Sequence, residues 1–340
     1  MTQVIPMTVA ARDEAASLGA CLDSYLAAIA VTQQRLDVRV ELLVVLDDTS
    51  DGSPGVCASR GVPSRRSSGG KLAAQLAGVR PGPFQLFGDA DVLVEPETIA
   101  AMCELMLDDP SVAVAFPDKL PLPPRRSTLL ARALHAYNRT RGYSSERAWF
   151  SGKLFAIREL SVPGVAELAR RAATLPASRF HDYAAPLRID DIYLSRRVTH
   201  DHGREAMRET AGIVWFRAPE TWPGMYRYYR RMRRELERID RLFPELGDRA
   251  VRIPDRLAAA PIGERALYRV FTTALAACKL AYRIDQLATD HLGLAPRDSW
   301  PAIVETKLGP ARTEPTERTE PTARTERTAR TARTERPWRS

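Results

Sequence analysis

The stretch at residues 84–94 constrains this chain most, because it runs from an apolar segment into two carboxylates and back into an apolar segment. A buried strand that ends at the edge of a sheet has this pattern. Asp89 and Asp91 would then lie in the crevice at the carboxyl ends of the strands, where open α/β sheets bind ligands. Two carboxylates one residue apart offer the hard oxygen ligands that suit Mg²⁺ or Mn²⁺ held partly by a substrate's phosphates. The same pair would also fit a turn or a helix N-cap.

Two earlier apolar runs also end at acidic residues. The run at 4–10 stops before Arg12-Asp13-Glu14, and the run at 40–46 stops before the acidic segment that begins with Asp47-Asp48. Between them, residues 15–30 carry apolar side chains at helical spacing. A strand, a helix and a strand in this order form a βαβ unit, which predicts a parallel sheet.

Further elements continue this alternation along the chain. The polar range 54–70 predicts a loop with room for one short strand at 56–58, and the range 149–157 fits either strand or loop. After residue 223 the pattern becomes helical only. The remaining predictions are helices at 72–77, 97–107, 127–139, 165–175, 225–242 and 264–287, a helix that starts near Ile192, and strands at 112–116 and 213–216.

Composition limits the classes of protein that this chain can belong to. The net charge of +8 fits an anionic ligand or an anionic membrane surface, but no DNA or RNA recognition motif is present, so we expect no nucleic acid partner. The four cysteines are far apart and lack zinc or disulfide spacing. Because we find neither a signal peptide nor a stretch of about 20 uncharged apolar residues, we expect a cytoplasmic protein without a transmembrane helix.

The last thirty residues, 311–340, repeat Thr, Glu, Arg, Ala and Pro with almost no apolar side chains. Such a segment buries too little surface to offset its ordering entropy, so we predict a disordered tail. The sequence therefore predicts three parts: an α/β domain at 1–222, a helical region at 223–310 and the tail at 311–340.

The predicted helix at 225–243 is amphipathic and has a basic face. Its arginines could contact a diphosphate, a lipid phosphate or a membrane surface, or could simply face solvent. The apolar stripe comprises Met225, Tyr229, Met232, Leu236, Ile239 and Phe243, and the basic stripe comprises Arg227, Arg230, Arg231, Arg234, Arg238 and Arg241.

The acidic clusters, in this order, resemble the family-2 glycosyltransferases with the GT-A fold, over about residues 4–234. Each motif is loose alone, and their order and spacing together carry the resemblance. The matching segments are Asp13-Glu14 for the family's Asn-Glu pair, residues 47–53 for its nucleotide-binding stretch with one residue fewer, Gly70-Lys71, Gly88-Asp89-Ala90-Asp91, Ser151-Gly152 with Arg158, and Asp190-Asp191 for its Glu-Asp pair.

The resemblance implies a fold and a set of roles. The fold is a Rossmann-like, mixed but mainly parallel sheet flanked by helices, with a helical C-terminal region, and the short range 54–70 implies that the usual helix and strand there are trimmed. Asp91 would bind Mn²⁺ or Mg²⁺, with Asp89 orienting the ribose or a metal-bound water. Asp48 and Glu14 would contact the nucleoside. Lys71 would either contact phosphate or remain solvated at a helix start.

Asp191 would be the general base of the implied reaction, and Asp190 beside it would cap a helix. His200 and His202 could complete a metal site, although exposed histidines are the simpler interpretation.

The reaction that the resemblance implies is transfer of a sugar from a nucleotide-sugar donor to a hydroxyl acceptor with inversion, and a lipid-linked or polysaccharide acceptor is one expectation. Two alternatives stay open. A nucleotidyltransferase would normally carry a glycine-rich loop after its first strand, and residues 11–14 contain no glycine. A non-catalytic nucleotide-binding protein would not need both Asp91 and Asp191.

Overall fold

The computed structural model describes residues 2–139, 150–188, 190–247, 261–294 and 303–309. Within these ranges the strands form one sheet, and the segments that connect them supply helices. The strands are β1 (Gln3–Ala11), β2 (Val38–Asp47), β3 (Ser64–Ser67), β4 (Gln85–Asp89), β5 (Val92–Val94), β6 (Val114–Pro121), β7 (Leu154–Ile157) and β8 (Met207–Phe216). The helices are α1 (Ala15–Arg35), α2 (Ser53–Ala58), α3 (Lys71–Gly78), α4 (Thr98–Asp108), α5 (Leu129–Arg139), α6 (Val165–Ala172), α7 (Asp190–His202), α8 (Trp222–Leu242) and α9 (Ile262–Asp290).

The sheet is mixed, with the order β3-β2-β1-β4-β7-β6-β8-β5. Strand pairs β3/β2, β2/β1, β1/β4 and β6/β8 are parallel, whereas β4/β7, β7/β6 and β8/β5 are antiparallel. The prediction of a mixed, mainly parallel sheet flanked by helices and followed by a helical C-terminal region is therefore confirmed. The described residues up to Gly309 cluster as one compact unit. The division at residue 222 stays a prediction, and the predicted disordered tail lies outside the described residues.

The register of the parallel strands brings the acidic clusters together. Ala11 pairs with Leu46, and Ala10 pairs with Asp89, so β1, β2 and β4 end at the same edge of the sheet. Strand β7 runs antiparallel to β4 and pairs Leu154 with Gly88. The residues just before β7 therefore lie at this same edge, beside Asp89.

Hydrophobic clusters cover both faces of the sheet. Successive strand residues point to opposite faces, so Leu86 joins the cluster with α1 and α4 and Phe87 joins the cluster with α7 and α8. Within the described ranges, α1 alone is long and apolar enough to cross a membrane by length and composition, with a mean hydropathy of 1.4. Its Leu18 and Tyr25 are fully buried in the first cluster.

Elements α2, β3 and β8 are among those that differ from the sequence prediction. The range 54–70 contains the short helix α2 and the short strand β3 instead of a loop, so the trimming that the resemblance implies leaves both elements in place. The predicted strand at 56–58 is part of that helix. Strand β8 begins six residues before the predicted residue 213, because most of its first half is at least partly exposed and lacks a continuous apolar run.

Candidate active site

The two acids of the central motif lie at the edge of the sheet, as predicted. Asp89 is the last residue of β4, and Asp91 directly precedes β5. Their side chains are only 18% and 19% exposed. The backbone N–H of Asp89 donates to the carbonyl of Lys153 at 2.9 Å, which fixes Lys153 beside the motif.

Two lysine ammonium groups lie between the carboxylates of this edge. The Lys153 Nζ is 3.0 Å from Asp89 Oδ2 and 3.0 Å from Asp91 Oδ1. The Lys71 Nζ is 2.7 Å from Asp89 Oδ1 and 3.1 Å from the Asp190 carboxylate. Asp91, Lys153, Asp89, Lys71 and Asp190 thus form an alternating series that we call the charge ladder. Each ladder charge has an opposite charge in contact, which compensates for the loss of water around it.

The ladder keeps three of its members ionised despite their burial. Burial would raise the pKa of Asp89, but Lys71 and Lys153 lower it to about 2. Burial would likewise lower the pKa of each lysine. Asp190 and Asp89 raise the pKa of Lys71 above its ordinary value, and Asp91 and Asp89 do the same for Lys153. The solvated state considered for Lys71 is not observed, because this side chain is mostly buried and paired.

Asp190 and Asp191 are adjacent but have different partners. The Asp190 carboxylate accepts a hydrogen bond from Gln75 Nε2 at 2.6 Å in addition to Lys71, so it serves the ladder rather than the predicted cap of α7. Asp191 Oδ2 accepts the backbone N–H of Gly152 at 3.1 Å. Burial, and then the charge of Asp190, raise the pKa of Asp191. A carboxyl group with a raised pKa is better suited to accept a proton near neutral pH.

Gly152 allows the backbone to approach both acids closely. A Cβ atom at this position would lie 3.1 Å from Asp190 Oδ1 and 3.2 Å from the Cβ of Asp191. The Gly152 carbonyl also accepts a hydrogen bond from Lys71 Nζ at 3.3 Å. Gly152 therefore contacts Lys71 and also allows close approach to Asp190 and Asp191.

Hydrogen bonds tie the loops that follow β1 and β2 to each other. Asp13 Oδ1 accepts the backbone N–H of Ser50 at 2.8 Å, and Asp51 Oδ2 accepts that of Ala15 at 2.8 Å. Asp48 adopts a left-handed backbone conformation with φ of 45° and has an exposed side chain. Its carboxylate is therefore available at this edge, where the sequence predicts a contact with the nucleoside.

The turn before α3 requires glycine. Gly69 and Gly70 have φ values of 104° and 96°, a region that side chains other than hydrogen rarely allow. The backbone N–H of Gly70 donates to the buried Asp47 Oδ1 at 3.0 Å. This turn places Lys71 at the first position of α3, from which it reaches the ladder.

Glu14 is covered by the segment at 303–309, which we call the C-terminal strap. Lys307 forms an ion pair with Glu14 Oε1, and the backbone N–H of Leu308 donates to Ser17 Oγ at 2.9 Å. Glu14 Oε2 is buried and receives no hydrogen bond from the described residues. Burial and the charge of Asp91 raise the pKa of Glu14 to about 7, and Lys307 opposes this shift.

The carboxylates of Asp89 and Asp91 suit a hard divalent ion such as Mg²⁺. No group of three or more His, Cys, Asp or Glu side chains within the described ranges is arranged to hold a metal. Mg²⁺-type sites commonly use one or two carboxylates and complete their shell with water and substrate phosphates. Asp91 and Asp89 fit a site of this type, in which the protein supplies only part of the coordination shell.

Arg158, which belongs to one of the matched motifs, lies away from this cluster, and so do His200 and His202. The Arg158 guanidinium donates to the carbonyls of Met106, Asp109 and Val112 at 2.5, 2.9 and 2.7 Å, so it anchors the end of α4. His200 and His202 are exposed at the far end of α7, about 15 Å along the helix from Asp190. They are not in contact with the ladder.

Three of the six arginines in the basic stripe of α8 are buried. Arg230, Arg234 and Arg238 are 5%, 7% and 3% exposed. The Arg234 guanidinium lies 4.6 Å from the ring centroid of Phe180, and Arg238 pairs with Glu235 at 2.6 Å. The predicted basic face therefore packs against the protein at these three positions.

Three residues with direct contacts in the cluster were not singled out from the sequence: Lys153, Gln75 and Lys307. Lys153 directly follows Ser151-Gly152, but only the antiparallel pairing of β7 with β4 brings it to Asp89. Gln75 lies one helical turn after Lys71 in α3 and therefore shares its face. Lys307 reaches Glu14 across 293 residues of sequence, and no local pattern indicates such a contact.

Comparisons with known proteins give matches among solved structures. No family model matches the chain, and no curated protein does. Glucosyl-3-phosphoglycerate synthase from Mycobacterium tuberculosis, in complex with Mn²⁺, UDP-glucose and phosphoglyceric acid, is similar over 72% of this chain and 80% of that chain, with 16% identity and a TM-score of 0.44. The complex of the same synthase with Mn²⁺, UDP and phosphoglyceric acid covers 72% and 79%, with 17% identity and a TM-score of 0.45.

A third structure of that synthase, with Mg²⁺ and UDP, covers 62% of this chain and 70% of that chain, with 18% identity and a TM-score of 0.40. At these values the similarity assigns neither a family nor an activity to this chain.

Proposed function

We propose that this protein transfers a sugar from a nucleotide-sugar donor to a hydroxyl acceptor, with inversion and with assistance from Mn²⁺ or Mg²⁺. The charge ladder is the observation that carries the proposal. It joins Asp91, the candidate metal ligand, to Asp190 beside the candidate base, through direct contacts of 2.7–3.1 Å. Residues that the reaction would need at one centre, but that are far apart in sequence, therefore lie in one connected group.

Asp191 is the proposed general base. The backbone N–H of Gly152 orients one carboxylate oxygen, and the raised pKa favours acceptance of a proton from the acceptor hydroxyl. Inversion would follow from direct attack of that hydroxyl on the anomeric carbon. Asp190 acts through its contacts with Lys71 and Gln75, which hold the start of α7 in place.

The donor is proposed to lie along the edge formed by β1, β2 and β4. Asp48 and Glu14 would accept hydrogen bonds from the nucleoside, since hydroxyl and imide groups are donors. Lys71 would contribute positive charge near the phosphates, and Asp89 would orient the ribose or a water. When bound at Asp91, the divalent ion would stabilise the negative charge of the departing diphosphate as a Lewis acid.

The acceptor is defined here only as a hydroxyl compound, and a lipid-linked or polysaccharide acceptor stays a prediction, as does a cytoplasmic location. Membrane contact through the helix at 225–243 also stays a prediction. Three of its arginines are buried, so only exposed ones such as Arg227 could carry it.

The alternative enzyme is a nucleotidyltransferase that acts on sugar phosphates. The turn after β1 contains Arg12, Asp13 and Glu14 and no glycine, so it lacks the loop that would cradle a triphosphate. The non-catalytic alternative does not explain why Asp191 is held with a raised pKa beside the ladder.

The test is release of a nucleoside diphosphate from a panel of nucleotide sugars in the presence of Mn²⁺, with UDP-glucose as the first probe. The proposal predicts turnover with at least one donor and none with a nucleoside triphosphate plus sugar phosphate. The reverse pattern would identify a nucleotidyltransferase, and binding of nucleotide without turnover of any donor would identify a non-catalytic protein.

Substitution of Asp91 tests the metal role directly. Asp91→Asn keeps the shape of the side chain and removes its charge, so turnover should fall by at least about 10²-fold. Excess Mn²⁺ should not restore the wild-type rate. Full wild-type activity in the presence of EDTA would contradict a metal site at Asp91.

A further inference from the structure

The Lys153 ammonium pairs with Asp91, the carboxylate that the proposed function assigns to a metal ion. One ammonium group bridges Asp89 Oδ2 and Asp91 Oδ1 at 3.0 Å each. A divalent ion held by Asp91 would take the negative charge that pairs with the Lys153 ammonium, and it would lie close to that ammonium. Two cations this close repel strongly in a site that is mostly removed from water. Metal and ammonium therefore compete for the Asp91 carboxylate.

The backbone at Lys153 is held by a hydrogen bond to β4, whereas its side chain is partly exposed to solvent. The carbonyl accepts the N–H of Asp89 at 2.9 Å, which belongs to the pairing of β7 with β4. The side chain is a flexible four-carbon stem and is 25% exposed, so it has a route toward solvent. The ammonium can leave the carboxylates without disturbing the sheet.

Charge balance determines when the ammonium would leave. Without other ligands, Lys153 compensates Asp91 and, together with Lys71, Asp89. Among the described residues, Asp89 and Asp91 are the carboxylates in contact with the Lys153 ammonium, so a divalent ion alone would displace the ammonium from its partners. A nucleoside diphosphate brings negative phosphate oxygens, which can pair with the displaced ammonium and also complete the shell of the metal.

We propose that Lys153 gates the metal site, so that a divalent ion binds strongly only together with a nucleoside diphosphate. This inference rests on the metal-assisted transfer proposed above and names the residue that couples the two ligands. Such coupling is reciprocal: the nucleotide raises the affinity for the metal by the same factor by which the metal raises the affinity for the nucleotide.

The decisive experiment measures binding of Mn²⁺ alone, from the electron paramagnetic resonance signal of free Mn²⁺ titrated with the full chain. Lys153→Gln keeps a hydrogen-bond donor but removes the charge, and Lys153→Met is a second neutral replacement. Both should bind Mn²⁺ at least about tenfold more tightly than the wild type. Lys153→Arg keeps a cation and should bind Mn²⁺ as weakly as the wild type. The matched control is Lys279→Met, which removes an exposed lysine of α9.

Three further measurements locate the effect and show whether each variant is folded. Adding Asp91→Asn to Lys153→Gln should abolish the gain in Mn²⁺ affinity. Calorimetric titration with UDP, with and without Mn²⁺, should show a larger effect of the metal in the wild type than in Lys153→Gln. Melting temperatures establish that each variant is folded.

Equal Mn²⁺ affinity in the wild type and both neutral variants would overturn the gate, as would weaker binding in the neutral variants. If that binding still depends on Asp91, the proposed metal site survives this result. If no variant binds Mn²⁺ through Asp91, with or without UDP, both the gate and the metal-assisted reaction are overturned.

Discussion

Asp190 and Asp191 show how neighbouring residues of one type acquire different roles from their surroundings. Asp190 is 4% exposed and bound to Lys71 and Gln75, whereas Asp191 is partly exposed and held by the backbone of Gly152. In a helical first turn, adjacent side chains point about 100° apart, so they cannot face the same group. The structure therefore separates a positioning acid from the candidate base.

Asparagine substitutions should give opposite results at these two positions. Asp190→Asn leaves Lys71 without one of its carboxylates, so the free energy of unfolding should fall by roughly 3 kcal/mol. Asp191→Asn should lower turnover by about 10²–10⁴-fold with little change in that free energy. Turnover and denaturant unfolding of both variants test this. Normal turnover in Asp191→Asn together with a folded but inactive Asp190→Asn would move the base to Asp190.

Glu14 should make stability depend on pH. Its pKa in the folded protein is about 7, above its ordinary value of 4.5, because burial and Asp91 disfavour the charged form. The folded state then binds more protons than the unfolded state between these values, so the free energy of unfolding falls as pH rises from 4.5 to 7. The loss could reach about 3 kcal/mol.

The measurement compares the wild type with Glu14→Gln by thermal unfolding at several pH values from about 4.5 to about 8. Relative to this variant, the wild type should lose stability as pH rises. Glu159→Gln removes an exposed carboxylate and is the matched control. Parallel curves for the wild type and Glu14→Gln would contradict the raised pKa.

At the scale of elements, α8 shows that a basic face can be a packing face. Arg234 stacks on Phe180, and Arg238 donates to the carbonyl of Ala185 and pairs with Glu235. These arginines join α8 to the segment that precedes α7. Their charges are thus part of the internal structure of the protein.

Substitutions on α8 should therefore affect stability more than membrane binding. Arg234→Gln removes the contact with Phe180 and should cost about 1 kcal/mol of stability. Arg227→Gln, on an exposed position of the same helix, should cost almost nothing. Thermal unfolding and co-sedimentation with anionic vesicles measure both variants. Unchanged stability of Arg234→Gln with a loss of vesicle binding would restore the membrane interpretation.

The accuracy of the sequence predictions followed the strength of the local pattern. Long elements such as α1, β2 and α8 were predicted to within about five residues at each end, since α1 and α8 show a helical period and β2 shows a continuous apolar run. The short helix α2 and the edge strand β3 were missed, because six- and four-residue elements with polar or exposed side chains carry little periodic signal.

In the candidate site, the location of the acids was predicted, but their contacts with distant lysines were not. Asp89 and Asp91 were placed correctly at the sheet edge, because a local change from apolar to acidic residues indicates where a strand ends. The contacts of Lys153 with these acids, and of Lys307 with Glu14, depend on strand order and on docking of distant segments. Neither is encoded in any short stretch of sequence.

At the scale of the whole molecule, the C-terminal strap closes the compact unit. Ile303 and Leu308 are 4% and 7% exposed, and Leu308 belongs to the core cluster that includes α1. Glu305 Oε1 accepts a hydrogen bond from Thr221 Oγ1 at 3.1 Å. The strap thus contacts both the start of α1 and the start of α8.

Two truncations should behave differently. Removal of 311–340 should leave folding and turnover intact, because that composition cannot support a packed core. Removal of 303–340 also deletes two buried apolar side chains, so the melting temperature should fall by about 5 °C or more. Calorimetric scans of the full chain and both truncations provide the comparison. A clearly lower melting temperature for the shorter truncation would show that the tail contributes to stability.

The charge ladder also has a consequence for the evolutionary history of this chain. Its members compensate one another, so loss of Lys71 alone would leave Asp89 and Asp190 without their shared cation. A neutral residue at position 71 would be tolerated best after one of these acids had also become neutral. Across relatives of this protein, positions 71, 89, 153 and 190 should therefore co-vary as a group, and single changes among them should be rarer than paired ones.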